Sequence, residues 1–251
     1  MDFLVATSRG ADIQKFAKDE HSVILPTYVH SGATVPELTK ILEDKVYNFS
    51  SPSSSPTKNT HIYILAGSND ITHIDNRHPS RHIKYRECTY TGNVTDTIEN
   101  IKQNITECSD TIKSLNATPI FCTITPVNIK DYNQHMLRKR WTHTLIHEDK
   151  YPVWQSQIEE IIESVNTFII HLNSSNSLTT PLCHKCIIRH HGKRRRGFKA
   201  ISWNLLKDGI HGDDKIKKQW TICILNAIAK NRNPSKMQKK SKALFGGTRF
   251  L

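Results

Sequence analysis

Apolar residues along the chain fall in short runs that stop at glycine, serine or asparagine, and these alternate with longer stretches of helical spacing. Phe3-Leu4-Val5-Ala6 is the first run and ends in Thr7-Ser8-Arg9-Gly10, which predicts a strand followed by a turn. A helix is expected from Ala11 to Lys18. A second β-rich run, Ser22 to Val29, ends at Ser31-Gly32-Ala33-Thr34, and Val35-Pro36-Glu37-Leu38 opens a helix through Leu42 with proline near its first turn. His61-Ile62-Tyr63-Ile64-Leu65-Ala66 is the strongest strand signal and breaks at Gly67-Ser68-Asn69-Asp70. A polar, histidine-rich loop follows to about Tyr90. Ile98, Ile101, Ile105 and Ile112 then place a helix over Val94 to Leu115. Thr118 to Thr125 reads as a fourth strand stopped by Pro126, and residues 127–150 as irregular and basic. Trp154 to Val165 reads as an amphipathic helix and Phe168 to Leu172 as a fifth strand. Asp213 and Asp214 offer an N-cap to a last helix that reaches Ile228.

Strands alternating with helices call for an α/β fold, a three-layer α/β/α sandwich with a mainly parallel five-stranded sheet. A chain of 251 residues is long enough to bury a sizeable core. Residues 1–229 are expected to form one domain, followed by a basic tail at 230–251. The Ser/Pro-rich stretch 50–60 is a surface loop too short to divide domains. No apolar run approaches the ~20 residues of a membrane span. The first residues carry Asp2 where a signal peptide would be basic, which points to an intracellular chain, cytoplasmic or nuclear, with no membrane partner. The six cysteines then read as free thiols.

Charge changes this picture locally. The net charge is +12, yet six of the 35 Lys and Arg lie in residues 189–199 and seven in 230–251, stretches without an acid. The remainder holds 22 bases against 23 acids and is close to neutral. Arg189, Lys193, Arg194, Arg195, Arg196 and Lys199 are candidates for nucleic-acid contact through phosphates, or form a solvated loop. Just before them, Cys183 and Cys186 in C-x-x-C spacing, with His190 and His191, could hold structural zinc. The adjacent histidines lack the usual H-x₃₋₅-H spacing, so free thiols in a basic loop are the simpler reading and no metal is assigned.

In open α/β sheets, ligands sit at the carboxyl ends of strands. Ser8, Gly32 and the Gly67-Ser68-Asn69-Asp70 cluster all fall there. Near the end of the chain, Asp208-Gly209-Ile210-His211 puts an acid three residues before a histidine on a glycine-containing turn. The carboxylate can accept from one imidazole nitrogen and leave the other free as a base.

This order of motifs resembles the SGNH hydrolases, also called GDSL-type esterases and lipases, over about residues 3–229. Gly67–Asp70 matches the family's Gly-x-Asn-Asp block, and Asp208–His211 its Asp-x-x-His block, without a mismatch. The Gly-Asp-Ser nucleophile block falls on Ala6-Thr7-Ser8, with Ala6-Thr7 in place of Gly-Asp and Arg9 where a small or aliphatic residue is usual. The resemblance implies a flavodoxin-like fold and a Ser8–His211–Asp208 triad. The N–H groups of Ser8 and Gly32 and the Asn69 amide would form an oxyanion hole. The substrate implied is a small ester or an acetylated compound, and the chemistry needs no metal or organic cofactor. The alternative is a non-enzymatic SGNH-like domain that binds RNA or DNA through its basic segments. The distance from Ser8 Oγ to His211 discriminates, because hydrogen-bond reach favours the esterase.

Overall fold

A computed structural model describes residues 2–49, 60–78, 80, 84–191 and 198–233. The strands are β1 (Asp2–Ala6), β2 (Thr27–Val29), β3 (His61–Leu65), β4 (His73–Asp75), β5 (Glu87–Thr89), β6 (Thr118–Phe121), β7 (Ile188–His191) and β8 (Phe198–Ile201). The helices are α1 (Ile13–His21), α2 (Val35–Phe49), α3 (Ser68–Ile71), α4 (Val94–Ser114), α5 (Ile129–Arg138), α6 (Tyr151–Ser175) and α7 (Asp214–Arg232). β2, β1, β3 and β6 lie side by side in that order, every pair parallel.

Side chains alternate across this sheet as the pleat requires. Val5, Ile62, Ile64 and Phe121 point to one face, into a core built with α2, α4, α5 and α6. Leu4, Ala6, Tyr63, Leu65 and Ile120 point to the other, against α1 and α7, where Trp220 is fully buried. The result is the expected three-layer α/β/α sandwich with a parallel sheet.

Among the described residues the main sheet has four strands, and the fifth expected at Phe168–Leu172 is instead the last part of α6. The buried positions Ile158, Ile161, Ile162, Val165 and Ile169 keep one helical stripe running through it, while Ile170 is exposed. The β-branched run misled because it is short, and short apolar runs do not separate strand from buried helix.

α6 nevertheless does a fifth strand's work. The Asn166 amide accepts the Ile124 N–H at 2.6 Å and donates to the Ile124 carbonyl at 2.9 Å. Two helical turns on, Asn173 does the same for Phe121, at 3.3 and 2.8 Å. Both asparagines are buried. The free edge of β6 and its extension is thus paired by side chains.

Three further stretches differ from expectation. Residues 127–150 contain α5, whose Asn128 N-cap accepts from the Asp131 N–H at 2.9 Å. The histidine-rich loop contains β4, paired antiparallel with β5, and β5 is clamped by Asn133 of α5 through the Cys88 N–H and carbonyl. β7 and β8 form an antiparallel pair in the segment read as a basic loop. The loop expected at 50–60 lies almost wholly outside the described residues, as does the basic tail beyond Asn233.

Removing either clamp leaves a buried N–H and carbonyl without partners. Asn166→Ala and Asn173→Ala should each lower unfolding free energy by about 1–3 kcal/mol. Glu163→Ala, at an exposed position of the same helix, should stay within about 0.5 kcal/mol of wild type. Urea denaturation of the three variants checks this.

Candidate active site

Ser8 comes one residue after the end of β1, separated from it by Thr7, in a single 3-10 turn over Ser8–Gly10 closed by the Gly10 N–H on the Thr7 carbonyl at 2.9 Å. The turn is tight enough that a Cβ at Gly10 would lie 2.2 Å from the Ala6 Cβ. At the far end of the chain, Asp208-Gly209-Ile210-His211 forms the turn before α7. Gly209 has φ of +85°, and a Cβ there would meet the Asn128 carbonyl oxygen at 2.4 Å. Glycine alone lets this turn lie against the start of α5, where the Asn128 N–H donates to the Gly209 carbonyl at 2.8 Å.

Within that turn one Asp208 oxygen accepts the backbone N–H groups of Ile210 and His211, at 3.0 and 2.7 Å. The other oxygen lies 2.7 Å from His211 Nδ1. Burial pushes the Asp208 pKa up, but the bonds from His211 and the turn outweigh it and hold the carboxyl down at about 2. An ionised carboxylate can only accept, so Nδ1 carries the proton and Nε2 presents a lone pair. Ser8 Oγ lies 3.0 Å from that Nε2. The three side chains therefore stand in one hydrogen-bonded line from strand β1 to the turn before α7.

The proposed oxyanion donors come from neighbouring elements. Gly32 has φ of +80° on the loop between β2 and α2. Asn69, in α3, donates from its amide to the Ala33 carbonyl at 3.0 Å, next to Gly32, and the amide carries a second N–H. Asp70 holds the same loop, accepting the Val35 N–H at 3.1 Å on each oxygen. Thr34 and Glu37 cap α2, the Glu37 carboxylate accepting the Thr34 N–H at 2.7 Å and its hydroxyl at 2.9 Å.

Arg9 was noted only as a departure from the family, and the structure gives it a place. It is 3% exposed, and its Nη1 donates to the Thr125 carbonyl at 2.7 Å. Burial lowers its pKa to about 10, against the pull of the Asp208 charge and of Cys88. Nothing in Ser8-Arg9-Gly10 marks an inward-facing arginine except that the residue type is unusual there.

The described contacts of Arg189, Cys183 and Cys186 lie elsewhere. Arg189, on β7, donates from Nη2 to the Gln219 side chain at 3.4 Å. Lys199 is on β8, and Lys193, Arg194, Arg195 and Arg196 lie outside the described residues. Cys183 is buried and Cys186 partly so, neither is in a disulfide, and their thiols are neighbours of Cys223 and, for Cys183, of Cys122. The backbones of His190 and His191 are in β7, and their side chains are outside the described set. Among the described residues no group of three or more His, Cys, Asp or Glu is arranged to hold a metal ion. No helix among them is long and apolar enough to cross a membrane.

Solved structures share this architecture. A GDSL-like lipase from Bacteroides thetaiotaomicron matches with TM-score 0.55 and 15% identity, over 91% of this chain and 87% of the other. A candidate acylhydrolase from Bacteroides fragilis matches with TM-score 0.57 and 15% identity, over 91% and 86%. A candidate lipolytic protein of the G-D-S-L family from Desulfitobacterium hafniense matches with TM-score 0.52 and 8% identity, over 90% and 98%. No family model matches the chain, and no curated protein does. At these identities the likeness is one of fold: the chain has the fold of the SGNH hydrolase superfamily.

The Asp70 carboxylate carries a testable pH signature. Burial raises its pKa from 3.8 to about 6, with the Val35 N–H working against it. The folded state thus binds this proton more tightly than the unfolded chain. The stability it contributes is fully present below about pH 4 and is lost as pH rises through 6. Asp70→Asn keeps an acceptor for Val35 but has no such proton. Across pH 4 to 6, wild-type unfolding free energy should therefore fall relative to that of the variant, in urea titrations at each pH.

Proposed function

We propose that the chain is a serine hydrolase of the SGNH type that cleaves an ester or acetyl group. The observation that carries this reading is the continuous line Ser8 Oγ, 3.0 Å, His211 Nε2, with Nδ1 2.7 Å from Asp208. In this reading His211 takes the Ser8 proton as Oγ attacks the carbonyl carbon, and ionised Asp208 stabilises the imidazolium. The carbonyl oxygen becomes an oxyanion facing the Ser8 and Gly32 N–H groups and the Asn69 amide. His211 then returns its proton to the leaving alcohol, and water cleaves the acyl-serine by the same route. The substrate is a small ester or an acetylated compound, and no metal takes part.

Purified protein should hydrolyse a short-chain activated ester and be labelled by a fluorophosphonate probe. Ser8→Ala should abolish both, and Asn69→Ala should reduce turnover by ~10²–10³ while leaving labelling detectable. Undiminished turnover by Ser8→Ala would remove Ser8 from the mechanism. Absence of both turnover and labelling in wild type would overturn the hydrolase reading.

A second reading is that the chain binds RNA or DNA through its basic segments. It is favoured by the concentration of charge in 189–199 and 230–251 on an otherwise neutral chain. Binding would then be weak in sequence preference and steep in salt, since phosphates release counterions. Neutralising Arg194, Arg195 and Arg196 together, or deleting residues 234–251, should weaken binding to every sequence and flatten the salt dependence in filter-binding titrations. Equal binding by full-length and altered protein would exclude these segments as the contact.

A further inference from the structure

Four of the six cysteines come together on the face of the sheet that packs against α1 and α7. Cys122 follows β6, Cys183 and Cys186 are in the single 3-10 turn Cys183–Ile187, and Cys223 is in the middle of α7. A 3-10 helix has three residues per turn, so side chains at i and i+3 eclipse, and Cys183 and Cys186 leave the turn on one side. That side meets α7. The Cys186 Sγ lies 3.8 Å from the Gln219 carbonyl oxygen, one helical turn before Cys223, and the Trp220 indole N–H donates to the Cys183 carbonyl at 3.2 Å. The thiols of Cys183 and Cys186 both donate to Cys223. Cys122 and Cys183 are buried, whereas Cys186 and Cys223 are partly exposed at the rim of this core. The other two cysteines, Cys88 and Cys108, are buried in the core on the opposite face, where burial pushes their thiols up to about 12 and 11.

We propose that Cys186 and Cys223 are a redox-active pair, oxidised by a low-molecular-weight disulfide to a bond that joins the turn at Cys183–Ile187 to α7. The pair is independent of the hydrolase reading. Sulfurs already in contact need only side-chain rotation to approach bonding distance. Attack requires a thiolate, and Cys223 supplies it: accepting from Cys183 and Cys186 holds its thiol well below the usual range, while Cys186, as a donor, is pushed up. The Cys223 thiolate attacks one sulfur of the oxidant RS–SR, forming a mixed disulfide and expelling RS⁻. The Cys186 sulfur then attacks the Cys223 Sγ, loses its proton to solvent and expels the second RS⁻. One disulfide breaks and one forms, and the oxidant leaves as two thiols that take up the protons lost by the protein. Cys183 also meets Cys223, but solvent does not reach it, so the second sulfur is that of Cys186. In reducing surroundings the pair stays open, and it closes as the oxidised form of a thiol pool rises.

The experiment incubates reduced full-length protein with oxidised glutathione and then counts free thiols in denaturant. The count should fall from six to four, and a peptide joining Cys186 to Cys223 should appear in a non-reducing digest. The urea midpoint of the oxidised protein should lie above that of the reduced one, because the new bond closes a long loop in the unfolded chain. Dithiothreitol should reverse both changes. Cys223→Ser lacks the attacking sulfur, so its five thiols should all remain. Should that variant not fold, Cys186→Ser carries the comparison, since Cys223 should then keep glutathione as an unresolved mixed disulfide. A wild-type count that stays at six, or stops at five with glutathione retained, overturns the proposal. So does a linkage between any other cysteines, or the same loss of two thiols in Cys223→Ser.

Discussion

A buried strand edge must find partners for every N–H and carbonyl it exposes, and in this chain that demand is concentrated on residues 121–128. β6 is the last strand of the sheet, so one side of it has no neighbouring strand to supply them. The partners come from four places. Asn173 and Asn166 of α6 take Phe121 and Ile124. The Thr123 N–H finds the Pro181 carbonyl, Thr125 receives Arg9, and Asn128 receives the turn at Gly209. Each bond is modest, about 1 kcal/mol net, while an unmade one costs more. Satisfying this one segment therefore fixes where α6, the serine turn, the Asp208 turn and the chain before β7 must lie.

The difference between what was legible in the sequence and what was not follows from the same segment. β1, β3 and α4 could be read because their periodicity is local. Gly67–Asp70 and Asp208–His211 could be read because their residue types and spacings are local too. The tail of α6 was misread because Phe168–Leu172 has strand composition, while the deciding groups are two polar residues, Asn166 and Asn173, whose targets lie over 40 residues away. α5 was missed because its apolar face is short and follows Pro126. Arg9 was seen only as an oddity, since an inward arginine is defined by the carbonyl it reaches.

The site has a division of labour between moving and fixed charge. Asp208 is held ionised by three N–H donors, and in the hydrolase reading His211 is the group that exchanges a proton. Around the loop at residues 32–35 the arrangement is different: Asp70 and Glu37 spend their hydrogen bonds on Val35 and Thr34. In the hydrolase reading, those carboxylates hold a backbone shape, so the donors facing a substrate are preorganised by groups that never touch it.

The 2.2 Å separation between the Ala6 Cβ and a Cβ built at Gly10 has an evolutionary reading. Positions 6 and 10 share space for a single methyl group. A family-type glycine at position 6 would free that space and release position 10 from having to be glycine. The alanine here therefore shifts the vacant side of the turn from before the serine to after it. Alanine at position 6 and glycine at position 10 are thus one steric choice, and a side chain can be carried at only one of the two.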